Sequence, residues 1–408
     1  MNMKHILFIS DNFYPESGAP ANRLYDHATV WVKSGYQVTV LTCVPNFPKG
    51  KVFEGYQNKW RQSELINGVK VIRIKSFIAQ NKGSLKRIID YMSFGFHAAI
   101  QGLFVKKPDI VIGTSPQPFT IFAAWFVARL KRKAFIFELR DLWPESIVAV
   151  DAMAKGNLLL RLLDRAIKRM YQSAELIVAV TDSFKKILVE KEKIEAQKIL
   201  VCKNGINPDV MVPAASAEVM RKRCQLENQY LVGYVGTIGM AHSVETILNA
   251  ARTSTDPAVH FIIMGEGAYA GEIRQKAKLC PNVTFIEGGT RQAALNVTNM
   301  LDASIVHLKD TPLFRTVIPS KIFEVMALGK PILMGVKGEA EKIVMNEANA
   351  GVSFQPEDAK SLNDAIQIIK GSVFDKEKMA DFVKTKFNRR KIALEMLDGI
   401  KLKLNGKK

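Results

Sequence analysis

Strand-like apolar runs recur from His5 to Ser10, Gln37 to Thr42, Val69 to Ile74, Ile110 to Gly113, Ala134 to Glu138 and Leu176 to Val180, and helix-length stretches separate most of them. The rhythm restarts at Leu231 to Gly236 and continues through His260 to Gly265, Val283 to Glu287, Ala303 to Leu308, Pro331 to Gly335 and Gly351 to Phe354. Strands that alternate with helices build a parallel sheet covered on both faces, so the pattern predicts an α/β chain with two doubly wound sheets. Between the two series, Lys203-Asn204-Gly205-Ile206-Asn207-Pro208 carries two turn-forming dipeptides and ends the regular pattern. The domain junction is expected there, separating residues 1–205 from residues 206–385. Ligands of such sheets bind outside the carboxyl ends of the strands, which directs the search for chemistry to the strand-to-helix loops.

The stretch from Ser84 through Val105 adds a second kind of pattern. Leu85, Ile88, Ile89, Met92, Phe96, Ile100 and Phe104 fall at mostly helical spacing, flanked by Lys86, Arg87, Lys106 and Lys107. Arg87, Asp90, His97 and Gln101 interrupt the apolar run, so it reads as an amphipathic helix too polar to span a bilayer. Either lipid or the core of the first domain would cover its apolar side. A basic helix from Leu158 to Tyr171, with Arg161, Arg165, Lys168 and Arg169, poses the same alternative.

Composition narrows the class. The 408 residues exceed one ordinary core, and 48% hydrophobic with 24% charged residues is the balance of a folded globular chain. Cys43, Cys202, Cys224 and Cys280 form no CxxC pair, so neither a zinc site nor a disulfide framework is indicated, and a reducing cytoplasm fits. The run Ile6 to Ile9 is too short for a signal-peptide core. The formal net charge of +19 divides into +14 over residues 1–205, −1 over 206–385 and +6 over 386–408. A basic first half suggests anionic lipid or nucleic acid as partner, with a merely solvated cationic surface as the alternative. No zinc finger, RRM or helix-turn-helix signature supports nucleic acid. Residues Asp11 to Gly18 also lack the GxGxxG turn of a dinucleotide-binding dehydrogenase.

The most specific segment is Ile318-Pro319-Ser320-Lys321-Ile322-Phe323-Glu324-Val325-Met326-Ala327-Leu328-Gly329-Lys330-Pro331-Ile332. Pro319-Ser320 reads as a helix start whose free N–H groups suit a phosphate, and Lys321 adds a cation. Glu324 lies one turn on, where a carboxylate can accept two ribose hydroxyls; a capped helix with an incidental glutamate is the bland alternative. With this segment in view, the chain resembles family 4 of the retaining glycosyltransferases, which have the GT-B fold of two facing Rossmann-like domains with a cleft between them. The resemblance spans nearly the whole chain through the Gly18 loop, Glu138-Leu139-Arg140-Asp141-Leu142-Trp143-Pro144, Asn204-Gly205, Gly233-Tyr234-Val235-Gly236 and Met264-Gly265-Glu266-Gly267. Through Tyr14-Pro15-Glu16-Ser17-Gly18-Ala19-Pro20-Ala21-Asn22-Arg23 and Arg140-Asp141-Leu142-Trp143-Pro144-Glu145-Ser146 it is similar to the N-acetyl-L-fucosamine transferases of bacterial surface-polysaccharide assembly.

That resemblance implies a UDP-sugar donor held mainly by the second domain. Glu324 would meet the ribose, and Gly236, Thr237, His242, Arg315, Ser320 and Lys321 would surround the diphosphate. Relatives carry an Arg and a Lys in the loop after Gly236 where this chain has Thr237 and His242, which shifts the expected charge to Arg315 and Lys321. Relatives also show a second glutamate where this chain has Thr316. Glu266 is expected near the transferred sugar, although a tight turn explains Gly265 and Gly267 equally well. Gly18 would allow close backbone approach to acceptor or donor phosphate, or simply form a flexible turn. On the acceptor side stand Asn22, Arg23, Arg140 and Asp141, with Asp141 the candidate base, Glu16, Glu138 and Glu145 its rivals, and an Arg140–Asp141 ion pair the structural alternative. No Asp-x-Asp motif occurs, which fits a reaction without cofactor or metal. Residues 386–408 are expected to form a basic helix crossing back to the first domain.

The expectation is sugar transfer to a polyprenyl-diphosphate-linked saccharide in O-antigen or capsule assembly, at an anionic membrane surface on the cytoplasmic side, without nucleic acid. A sugar-nucleotide epimerase of the same double-Rossmann plan and a non-enzymatic polyanion-binding protein are the alternatives.

Overall fold

The computed structural model describes residues 4–47, 50–78, 84–143, 145, 158–211 and 213–405, so Pro144, Ser146 and residues 406–408 of the segments above lie outside the described residues. The chain divides into two compact units, Met1–Asn204 with Arg389–Lys408, and Gly205–Asn388.

The first unit holds β1 (His5–Ile9), β2 (Gln37–Cys43), β3 (Arg61–Ile66), β4 (Val69–Ile74), β5 (Ile110–Thr114), β6 (Ala134–Leu139), β7 (Leu176–Ala179) and β8 (Ile199–Val201), in the order β3-β4-β2-β1-β5-β6-β7-β8. All neighbours pair parallel except β3, which runs antiparallel to β4. β3 and β8 were not expected from the hydrophobic pattern. β3 is an edge strand of alternating exposed and half-buried residues, and β8 has three residues, too few to register as a run. The overlooked signal was Asn67-Gly68, whose φ angles of +47° and +81° suit a two-residue hairpin turn.

The helix Arg389–Asn405 belongs to this unit's core. Ile392, Met396, Leu397 and Ile400 pack with Phe8, Trp31 and Val40. Trp31 Nε1–H donates to Ala393 O at 2.7 Å, and Arg389 pairs with Asp26 at 2.6 Å, both side chains being buried. The division between the units therefore falls three residues later than the expected start of the tail at residue 386.

Arg23 sits deep in the same unit. Its Nε–H donates to Glu138 Oε1 (2.9 Å), Nη1 to Lys203 O (2.9 Å) and Asn204 Oδ1 (3.1 Å), and Nη2 to Cys202 O (3.0 Å). With 1% of its surface exposed, Arg23 is a strut between the Ala19–Lys33 helix, β6 and the end of β8. The expectation that it binds acceptor is corrected, because every guanidinium nitrogen is already bonded inside the unit. Burial pushes the Glu138 pKa up, but Arg23 and Arg140 outweigh it and leave the carboxyl below its usual range. Removing one member of a buried pair strands the other charge, so Arg23→Met is expected to cost about 3–5 kcal/mol. Its urea midpoint, compared with the parent chain, measures that cost.

The second unit contains β9 (Tyr230–Val235), β10 (Val259–Gly265), β11 (Val283–Glu287), β12 (Ala303–His307), β13 (Ile332–Gly335) and β14 (Gly351–Ser353) in the order β11-β10-β9-β12-β13-β14. Every pair is parallel. Successive residues of β9 feed opposite cores: Val232 and Tyr234 pack with Ile247 and Phe261, whereas Leu231 packs with Ile262 and Leu301. Cover on both faces is why these strands read as continuous apolar runs. The order reverses direction between β9 and β12, as it does between β1 and β5, and loops at such a switch point form a ligand crevice.

Candidate functional site

In the second unit the strand ends gather most of the expected donor residues. Gly236 follows β9 with φ +151°, a conformation that L side chains rarely adopt. The loop after β10 packs against it backbone to backbone: Ile238 N–H donates to Glu266 O (2.8 Å) and Tyr269 N–H to Ile238 O (3.1 Å). A Cβ on Gly265 would lie 1.8 Å from Gly236 O, and one on Gly267 2.3 Å from Ile238 O. Loop packing thus accounts for both glycines. Glu266 is half-buried against Gly288, where a Cβ would come within 2.3 Å of its Cγ. Thr237 is exposed, and its carbonyl accepts a hydrogen bond from the Tyr234 hydroxyl (2.6 Å).

Lys321 is the centre of this region. Its Nζ lies 3.7 Å from the Tyr234 ring centroid and 2.7 Å from where a Cβ on Gly236 would be. The ammonium is covered and has no hydrogen-bond partner. Burial pushes its pKa down to about 7, with Glu324 pulling the other way. A buried cationic donor with nothing to bond is unfavourable until an anion completes it. His242 stands edge-on to the same Tyr234 ring at 6.3 Å, and burial followed by Lys321 pushes its pKa down to about 3. It is therefore a neutral ring near pH 7 and brings no charge to the site. His307, not singled out in the sequence, joins this cluster: burial takes its pKa down to about 4, and its Nε2 accepts from Glu357 N–H (2.9 Å).

Glu324 lies one turn beyond Lys321 in the helix Lys321–Ala327, and its Oε1 accepts from Arg291 Nη2 at 3.1 Å. Arg291 escaped the sequence reading. It opens the helix Arg291–Met300 behind the Thr290 cap, where a cation opposes the helix dipole. That unfavourable placement was its signal, and the Glu324 carboxylate explains it. Ser320 precedes the helix at Lys321 with a hydroxyl that makes no capping bond. Arg315 is 56% exposed and pairs with Asp310 at 3.0 Å.

In the first unit, the N–H groups of Arg140 and Asp141 both donate to Ser115 Oγ, at 2.7 and 3.2 Å, which fixes the loop after β6 against the end of β5. Burial pushes the Asp141 pKa up to about 6 against the pull of Arg140, whose own Nε is buried without a partner. Asp11, two residues past β1, is pushed up to about 7 by burial and then by Glu16. Asp11 and Ser115 were both missed, and position just past a strand's carboxyl end was the available signal. Glu16 accepts from the N–H groups of Asn46 and Phe47 (2.8 and 2.9 Å) and anchors the loop after β2, while Glu145 pairs with Lys191 at 2.6 Å. The Asn22 amide donates to Ser17 O at 2.9 Å. Gly18 adopts an ordinary φ of −66°, and a Cβ there would meet contacts no closer than 3.6 Å, so the special backbone freedom expected of it is not used. Among the described residues, no three His, Cys, Asp or Glu side chains gather as a metal ion requires.

Two family models match in tandem, Glycosyltransferase Family 4 over residues 21–210 and Glycosyl transferases group 1 over residues 216–387. This chain is a GT-B glycosyltransferase. The transferase is 22% identical over 368 residues to WcaI of Escherichia coli (strain K12), a glycosyl transferase assigned to colanic acid biosynthesis, covering 88% of this chain and 90% of that protein. Its fold is shared with Anabaena Alr3699/HepE in complex with UDP and glucose (TM-score 0.70, 16% identity, 98% of this chain and 100% of that one). It is shared equally with sucrose-phosphate synthase from Thermosynechococcus elongatus (TM-score 0.72, 16% identity, 99% and 100%).

Proposed function

We propose that this transferase moves N-acetyl-L-fucosamine from its UDP conjugate, with retention of configuration, onto a polyprenyl-diphosphate-linked saccharide in O-antigen or capsule assembly at the cytoplasmic face of a membrane. The observation that carries the donor half of this reading is the covered, unpartnered Lys321 Nζ beside Gly236. A diphosphate oxygen supplies the missing acceptor, and the charge that grows on the departing UDP meets a fixed cation already in place. No metal is required for that task. Glu324 takes the ribose hydroxyls, oriented by Arg291. On the acceptor side, Asp141 orients the attacking hydroxyl, and the leaving diphosphate receives its proton. The sugar and pathway rest on the Tyr14–Arg23 and Arg140–Ser146 resemblance, together with WcaI's assignment to colanic acid biosynthesis.

Calorimetry with UDP in metal-free buffer tests the donor half. UDP is expected to bind, and Glu324→Ala to raise its Kd by roughly 10- to 100-fold, the range for hydrogen bonds to a charged group. Absence of UDP binding by the parent chain would overturn the reading.

A further inference from the structure

In the first unit the helices Ser84–Leu103 and Pro118–Lys131 lie side by side. Gly95 and Gly102 permit the close approach, since a Cβ on them would lie 2.7 Å from Phe119 Cβ and 2.6 Å from Val127 Cγ2. Both contacts advance together along the chain, so the helices are parallel. Phe94, Ala98 and Gln101 are buried on one helix and Ile121, Ala124 and Ala128 on the other, which sets the inward faces. At roughly 100° per residue, the opposite faces carry Ile89, Met92 and Phe96 on the first helix and Phe122, Phe126 and Leu130 on the second. Phe96 is 64% exposed, Met92 51% and Leu130 56%.

An apolar strip this open needs a partner, and its surroundings select one. Residues 84–107 and 118–133 contain eight Lys or Arg and one acid, Asp90, which accepts from Ser76 Oγ at 3.1 Å. Lys106, Lys107, Arg129 and Arg132 stand exposed at the margin. The neighbouring helix Leu158–Ser173 repeats the composition, exposing Leu158 and Leu162 beside Arg161, Arg165 and Arg169. A second copy of the chain would bring these like charges together, and nucleic acid would leave the aromatic centre without an apolar partner. No described helix is long and apolar enough to cross a membrane.

We propose that this helix pair docks in the interface of an anionic lipid surface, with its aromatic strip among the acyl chains and its basic margin on the headgroups. The consequence, that the acceptor is met at that surface, rests on the proposed function. The docking itself does not.

Sedimentation of the full chain with phosphatidylcholine vesicles, with and without phosphatidylglycerol, tests it. The parent chain is expected to pellet with the anionic vesicles, less so as salt rises. Joint Phe96→Ser and Phe126→Ser substitution is expected to lower the partition coefficient at least roughly ten-fold with an unchanged urea midpoint. Arg129→Glu with Arg132→Glu should abolish the preference for anionic lipid. Undiminished binding by the serine variant, or no vesicle binding by a parent chain that binds UDP, would sink the docking proposal alone. A parent dimer that the serine substitutions dissociate would reassign the face to self-association. Loss of UDP binding with normal vesicle binding would instead remove the donor reading and leave the docking surface standing.

Discussion

Lys321→Met is expected to lower kcat/KM for a UDP-sugar by roughly 10²- to 10³-fold, the usual effect of removing one preorganised group that stabilises developing charge, while making the free protein more stable. The two effects have opposite signs because they belong to different states. Without donor, Nζ is a covered ammonium with no hydrogen-bond partner over the Tyr234 ring. Methionine of similar length keeps the packing and removes that cost. The folded-state pKa of about 7 lies below the ordinary lysine value, so the unfolded chain binds the extra proton between the two. The penalty is therefore fully present below about pH 7 and fades as pH rises toward the unfolded value. The stability gained by Lys321→Met should be largest at pH 6 and should shrink toward pH 10. Donor binding reverses the balance, because a diphosphate favours the charged amine. UDP binding at pH 8 should take up a proton, seen as a calorimetric enthalpy that varies with the buffer's ionisation enthalpy. A variant with unchanged turnover, or UDP binding without proton uptake, would remove Lys321 from the diphosphate site.

The same residue shows how far sequence reasoning reaches. The parallel sheets and the Pro319-Ser320-Lys321…Glu324 segment were legible because burial on both faces and a helix start leave local signatures. The state of Lys321 was not, since it depends on the Tyr234 ring and the Gly236 turn, far away in the chain. Long-range pairing also redirected Arg23, which adjoins a loop motif in sequence yet bonds to Glu138, Cys202, Lys203 and Asn204. Arg291 is the converse case. Its helix-start position makes local sense only once Glu324 is placed beside it. Asp11 and Asp141 extend the point to acidity: both owe their raised pKa first to burial, a property of the folded loops rather than of the flanking residues.

Deleting residues 389–408 is expected to abolish accumulation of folded protein rather than merely reduce activity. The helix contributes Ile392, Met396, Leu397 and Ile400 to the first unit's core, each no more than 6% exposed. Burial of such side chains is worth about 1.5–3 kcal/mol apiece, so the four together approach the roughly 5–15 kcal/mol that holds an average domain folded. Deletion also leaves Asp26 without Arg389 and the Trp31 indole without the Ala393 carbonyl, two further buried polar losses. Met396→Ala offers a graded version, with an expected cost of about 2–5 kcal/mol in the urea midpoint. Both variants alter the face packed on the Ala19–Lys33 helix and leave Lys321 and Glu324 of the second unit untouched. Residual folded Met396→Ala protein should therefore bind UDP with the parent Kd; a well-folded, stable truncate would show that the unit's core closes without this helix.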